Sequence, residues 1–211
     1  MTAPTMRVPA HRIHADLGAK FELLADWEVP VSYGTPAAEV ESLTSSIGVA
    51  DITPRGKLDV RGAVDGVLGP DLVGILRARI SATWALVLTE VGGADGRIED
   101  LQARAATAAM VTDATHLYAG FLLAGPLVPE ALARLASIDA RSLAGGAAVG
   151  APLTDVRAIL VARDVPSTFV EAYVDSEHGR YVFETLYEVV RGLGGRAVGW
   201  GPLRDWGWTP F

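Results

Sequence analysis

The chain contains no cysteine. That excludes disulfides, a thiolate nucleophile and every cysteine-ligated metal centre. It suits a reducing compartment, and a cytoplasmic location is expected. Cations are the minority charge, with 18 Lys and Arg against 25 Asp and Glu for a net of −7. Without a long basic run there is no electrostatic footprint for nucleic acid. No uncharged apolar run reaches the roughly 18 residues of a membrane span. The opening MTAPTMRVPAHR lacks the apolar stretch of a signal peptide. No G-x-S-x-G elbow, P-loop or G-x-G-x-x-G is present, and Ser45-Ser46 has no histidine paired with it in the sequence. The four histidines are His11 and His14, spaced H-x-x-H with no further ligand cluster, and the isolated His116 and His178. No metal site is expected from them.

What the chain does have is material for a core. Half of its 211 residues are hydrophobic and 20% are charged. That is enough for one domain spanning 1–211, with two small lobes of about 1–125 and 126–211. Residues 1–12 read as a loose arm. A helix is predicted from Pro36 to Ile47, with Thr35 at the cap, Pro36 in the first position, Glu39 in the first turn and Gly48 as the stop. Strands are predicted at Lys57–Arg61, Trp84–Val91, Ala108–Thr112, Tyr118–Ala124, Val156–Ala162 and Phe169–Val174. Residues 63–80 carry helical spacing broken at Gly69-Pro70. Gly92-Gly93-Ala94-Asp95-Gly96 reads as a hairpin turn with no following helix, so it is not read as a phosphate cradle. Arg97–Ala103 reads as its return strand, on which Glu99 and Asp100 point to opposite faces. A helix begins at Pro129, residues 144–152 form a Gly/Ala loop, and Gly179–Leu193 is an amphipathic helix. Strands and helices mix without a βαβ rhythm, which predicts an α+β class with mostly antiparallel sheets and flanking helices.

Several motifs then follow in order. They are Leu17-Gly18-Ala19-Lys20-Phe21, Asp26-Trp27-Glu28-Val29-Pro30-Val31 with Tyr33, Ser46-Ile47-Gly48-Val49-Ala50-Asp51-Ile52, and Gly56 to Gly62. This series resembles the opening of the glycine-cleavage T-protein, an aminomethyltransferase that moves one-carbon units on folate. Trp84 ahead of Gly92-Gly93, Ile98-Glu99-Asp100, Leu122 to Pro126 and Arg196 to Asp205 continue the resemblance with deletions. It implies a fold like the folate-binding lobe, tetrahydrofolate as cofactor, no metal and a small-molecule substrate. Carried over residue by residue, Asp100 matches the acid that faces the carbon-accepting folate nitrogens. A carboxylate there could stabilise a developing cationic amine or shuttle a proton. Trp84 would stack on a flat ring, Glu171 falls near the pterin-binding Glu, and Arg204 belongs to an Arg-Asp pair that helps the folate.

The chain also departs from the family pattern. Asp51-Ile52-Thr53-Pro54-Arg55-Gly56 stands where the family reads D-V-S-H-M-G, so Arg55 replaces an apolar residue of the folate pocket. Arg55 is expected to fix an anionic part of a ligand. The family's T-N-D stretch has no counterpart in residues 69–83. The stretch between Asp100 and Gly125-Pro126 is short, and RDVPSTFVE at 163–171 replaces a longer folate-contacting loop; Tyr173 does not stand in for that loop's tyrosine. The family's C-terminal β-barrel is expected to be lacking. The aromatic stretch Trp206 to Phe211 is therefore expected to be exposed and covered by a homodimer mate or partner subunit. Two readings follow. One is a transferase, or a repurposed reaction in the same cavity, with Asp100 as acid or base. The other is a non-catalytic accessory subunit of a sarcosine-oxidase-like complex, or a folate-independent biosynthetic enzyme. The chain lacks the cysteine signature of the iron–sulfur maintenance proteins that share this fold.

Overall fold

The computed structural model describes residues 5–69, 72–138, 143, 147–163 and 169–209. In chain order the elements begin with β1 (Met6–Arg7), α1 (His11–Asp16), β2 (Lys20–Leu24), β3 (Trp27–Ser32), α2 (Pro36–Ser45), β4 (Gly48–Asp51) and β5 (Arg55–Gly62). Next come α3 (Val64–Val67), β6 (Leu76–Ser81), β7 (Trp84–Val91), α4 (Asp95–Ala105), β8 (Ala109–Asp113), β9 (Tyr118–Ala124) and α5 (Val128–Leu135). The last are β10 (Ala148–Leu153), β11 (Val156–Arg163), β12 (Phe169–Asp175), α6 (Gly179–Gly192), β13 (Arg196–Ala197) and α7 (Trp200–Asp205). The class is α+β as predicted. The strands form a six-stranded sheet β10-β11-β12-β9-β4-β13, a four-stranded sheet β6-β7-β5-β8 and a three-stranded sheet β1-β3-β2. Pairing is antiparallel except for β1 with β3 and β4 with β13.

Strand alternation sorts the core into layers. One face of the six-stranded sheet carries Phe121 and Leu123 against Val128, Leu132, Phe183, Leu186 and Val190 of α5 and α6. Its other face carries Leu122, Ile159, Val161 and Tyr173, which pack with Leu86 and Leu88 of the four-stranded sheet and with Trp200 and Trp208. The far face of the four-stranded sheet, with Leu58, Val60 and Val87, is covered by Val64 of α3 and Leu101 and Ala105 of α4. The order is thus helices, sheet, sheet, helices. Residues 59, 61, 84, 86 and 88 face the space between the two sheets.

Several predicted elements need correction. Arg97–Ala103 is not a return strand but the middle of helix α4, so Glu99 and Asp100 do not sit on opposite faces of a strand. Leu101 and Ala105, one helical turn apart, are the residues this helix buries, and helical period outweighs the apparent alternation. Gly92 to Gly96 accordingly leads into a helix and does not close a hairpin. Residues 63–80 hold one short helix and then strand β6, in which Leu76, Ala78 and Ile80 alternate with polar residues; Pro70 lies outside the described residues. The Gly/Ala segment 144–152 contains strand β10, paired along its length with β11, while 144–146 lie outside the described residues. Within the described part of the arm, Met6–Arg7 pairs with β3, and α1 that follows packs His14 into the core.

Within the described part of the aromatic tail, Trp208 is buried and Trp206 half-buried. Trp208 is 2% exposed and meets Trp200 edge to face, with ring centroids 5.5 Å apart. Trp206 packs edge to face on Phe169. The chain itself covers Trp208, so that ring needs no partner to bury it, contrary to the expectation. Pro210 and Phe211 lie outside the described residues.

Candidate functional site

A cavity of about 410 Å³ opens between the two larger sheets. Arg61 and Trp84 line it from the four-stranded side, and Tyr118, Arg157, Tyr173 and Asp175 from the six-stranded side. Register explains the first pair. Arg61 and Trp84 are direct cross-strand partners on β5 and β7, so both side chains emerge on one face. The Arg61 guanidinium lies over the indole, 3.9 Å from its centroid. Asp59, two residues earlier on the same face, ties them together. Its Oδ2 accepts from Arg61 Nε at 2.7 Å and its Oδ1 accepts from Trp84 Nε1 at 2.7 Å. On the facing sheet, burial first and the Asp59 charge second push the Tyr118 hydroxyl above its ordinary value. Tyr173 reaches the cavity because Gly120 sits opposite it on β9. A Cβ at Gly120 would lie 2.9 Å from the Tyr173 ring.

Behind Tyr173 lies a fully buried ionic network. Arg55 Nη1 donates to both Glu171 oxygens at 2.7 Å, and both side chains are 0% exposed. Tyr173 donates its hydroxyl to Oε2 at 2.8 Å, and Arg163 Nη1 donates to Oε1 at 3.2 Å. Burial is the largest single influence on the Arg55 guanidinium and favours its neutral form, but the charges and hydrogen bonds of Glu171 and Tyr173 together outweigh it and hold Arg55 above its ordinary value. Burial pushes the Tyr173 hydroxyl well up, so it stays a donor. Lys57 is equally buried, and its Nζ donates to the carbonyls of Thr53, Arg55 and Thr115 at 2.7, 2.8 and 2.9 Å. Burial, and then the Arg55 charge, lowers its ammonium to about 7.

A second buried cluster fixes the N-terminal helix. His14 Nε2 lies 3.0 Å from Asp51 Oδ2, and the Tyr33 hydroxyl lies 2.7 Å from His14 Nδ1. Asp51 Oδ1 caps the Thr53 amide at 2.9 Å. His14 therefore works as a core anchor packed on Phe183. Among the described residues, no three His, Asp or Glu side chains converge as metal ligands would.

The residues singled out in the sequence are distributed unevenly. Arg55 and Glu171 are brought together and bond each other. Trp84 lines the cavity, with one face under Arg61. Asp100 lies on α4, on the far side of the four-stranded sheet from the cavity, and accepts from Arg104 Nε at 3.2 Å one turn away. Arg204 is exposed on α7, its guanidinium 6.0 Å from the Trp200 centroid. Sequence reasoning missed Asp59, Arg61, Arg157 and Tyr118. The run Asp59-Val60-Arg61 held a readable signal, since a strand there puts the acid and the base on one face.

Tetrahydrofolate can be tested against this donor and acceptor set. An ionised carboxylate offers about four acceptor positions. Each Glu171 oxygen already accepts two protein donors, so the four contacts from Arg55, Arg163 and Tyr173 occupy them. The arrangement at Glu171 does not fit a pterin that needs the same oxygens.

No family model matches the chain. The Frankia alni aminomethyltransferase is 31% identical over 160 residues, covering 72% of this chain and 38% of the relative. The chain spans less than half the length of the curated relatives it matches. Among solved structures, the glycine cleavage system aminomethyltransferase T from Bartonella henselae superposes with a TM-score of 0.75 at 19% identity, over 93% of this chain and 60% of that one. A chain of the heterotetrameric sarcosine oxidase from Corynebacterium sp. U-96 superposes with a TM-score of 0.66 at 15% identity, over 92% of this chain and 98% of that one. The layered sheets around the Arg61 cavity are thus those of a T-protein-like fold.

Proposed function

We propose that this chain is a ligand-binding accessory subunit built on the aminomethyltransferase lobe, working within a larger one-carbon or amine-oxidising assembly rather than as a transferase by itself. The observation that carries this reading is the saturation of Glu171 by Arg55, Arg163 and Tyr173. The carboxylate that the family resemblance assigns to the pterin is spent inside the protein. The near-complete overlap with one chain of a heterotetrameric oxidase supports the same reading by size and fold. In this role the inter-sheet cavity holds a small molecule, and the network behind it keeps Tyr173 in place as its wall.

A second reading keeps the transferase, with tetrahydrofolate as carrier; Asp100, its expected acid or base, lies across the four-stranded sheet from the cavity and would act only at a folate site outside it. The sequence similarity to aminomethyltransferases favours it. Tetrahydrofolate titration of the purified chain, followed by tryptophan fluorescence and calorimetry, separates the two. The accessory reading expects no saturable binding up to millimolar folate and no aminomethyl transfer. Saturable binding, lost in Asp100→Asn with the fold intact, would overturn it in favour of the transferase.

A further inference from the structure

The cavity between the sheets carries an unusual division of labour. The Arg61 guanidinium lies over Trp84, 3.9 Å from the ring centroid, and its Nε is committed to Asp59. A guanidinium has its N–H groups in its own plane. With Nε bonded to Asp59, the donor capacity left on Arg61 is that of its two Nη groups. Both Asp59 oxygens are engaged by Arg61 and Trp84. Arg157 adds a second guanidinium from β11 on the facing wall, and Tyr118, raised by burial and hydrogen-bonded to Arg61, stays protonated. Asp175, at the β12 end, is the one carboxylate among the lining residues. Ala151, Ala158 and Ile159 complete an apolar wall. Donors thus outnumber acceptors in a space with flat apolar surface.

We propose that Arg61 is the residue that selects the cavity's ligand, and that the ligand is a planar aromatic carboxylate. Its two oxygens accept from the Nη groups of Arg61 in one plane, and its ring lies beside Trp84 against the apolar wall. Trp84 and Asp59 are positioning residues: Trp84 lies under the guanidinium and Asp59 ties it to the indole. An arylmethylammonium brings its positive charge to the two guanidinium groups and is rejected, while a neutral amide forfeits the charge-assisted pair. The proposal rests on the reading that the cavity holds a small molecule. It does not depend on whether the chain is accessory or catalytic.

The test uses three probes of one shape, 2-naphthoate, 2-naphthamide and 2-naphthylmethylamine, titrated by calorimetry into the purified full chain. Naphthoate is expected to bind about tenfold or more tighter than the amide, as loss of a charge-assisted bidentate pair implies, and the amine not at all. Arg61→Gln should erase the preference for naphthoate over the amide. Arg61→Lys, which keeps charge without the planar fork, should retain only part of it. Asp59→Asn should weaken naphthoate without changing the order of the three probes. Equal affinities, an absence of naphthoate binding, or a preference that survives Arg61→Gln in a folded variant would each overturn the proposal. None of these results bears on tetrahydrofolate, so its failure is distinguishable from failure of the accessory reading.

Discussion

The Arg55 guanidinium bridges both oxygens of Glu171 through a single nitrogen at 2.7 Å and lies 6.0 Å from the centroid of Trp208. The two partners are 116 residues apart in the chain, on β5 and β12. This contact closes the space between the two sheets and fixes Tyr173, which forms the cavity wall.

Arg55→Met removes one partner of a fully buried pair. An uncompensated buried charge typically costs roughly 3–5 kcal/mol, while replacing both partners with uncharged groups is often close to neutral. Urea unfolding of Arg55→Met should show a loss of that size, softened by the remaining Arg163 contact at 3.2 Å. The double variant Arg55→Met/Glu171→Gln should recover most of it. A single-variant loss below about 1 kcal/mol would mean that the pair is solvated.

Gly120→Ala tests the approach of β9 to β12. The added Cβ would sit 2.9 Å from Tyr173 and 3.4 Å from Ile52. Overpacking of this kind costs typically about 1–3 kcal/mol. Because the clash falls on Tyr173, probe binding in the cavity should weaken along with stability. A variant of unchanged stability and binding would show that the ring moves freely.

Much of this architecture was legible from the sequence, and the failures have physical causes. The strands at Trp84, Tyr118, Val156 and Phe169 are dense in β-branched and apolar residues, and α6 has an apolar stripe at helical spacing. Those signals are local. Helix α4 was misread because Gly92 to Gly96 resembles a hairpin turn and because only two of its residues are buried. Strand β10 was misread because a Gly/Ala segment lacks β-propensity and forms only by pairing with β11. Within the site, Trp84 was found as a lone aromatic, but its Arg61 cover depends on cross-strand register. The partnership of Arg55 with Glu171 joins two strands in different sheets, and no local pattern announces it.

Trp208→Ala tests the fold-back of the aromatic tail. The indole is 2% exposed among Trp200 and the Arg55 guanidinium. Truncating a buried Trp costs typically about 3–5 kcal/mol. Thermal and urea unfolding should register that loss, while light scattering should show the same oligomeric state as the parent chain. A change of oligomeric state with little loss of stability would mean that the ring serves an interface between chains.

Lys57 makes stability depend on pH in a calculable direction. Its buried ammonium is lowered to about 7, whereas the unfolded chain holds that proton up to about 10.5. Between those values the unfolded state binds more protons than the fold, so unfolding free energy rises with pH across the window. The gain is complete above the unfolded value and is lost as pH falls through the folded one. Tyr33 and Tyr173 act in the opposite sense. Burial raises both well above 10.0, so the unfolded chain loses those protons first and stability falls as pH climbs past that value. Urea unfolding from pH 6 to 11 should therefore show a rise on the order of a few kcal/mol from neutrality, a maximum near pH 10, and a decline. Lys57→Met should flatten the rise and leave the decline in place. A Lys57→Met profile that still climbs between pH 7 and 10 would place the source of the rise in another group, and a parent profile that is flat there would mean that the three carbonyls of Thr53, Arg55 and Thr115 hold the ammonium as firmly as water does.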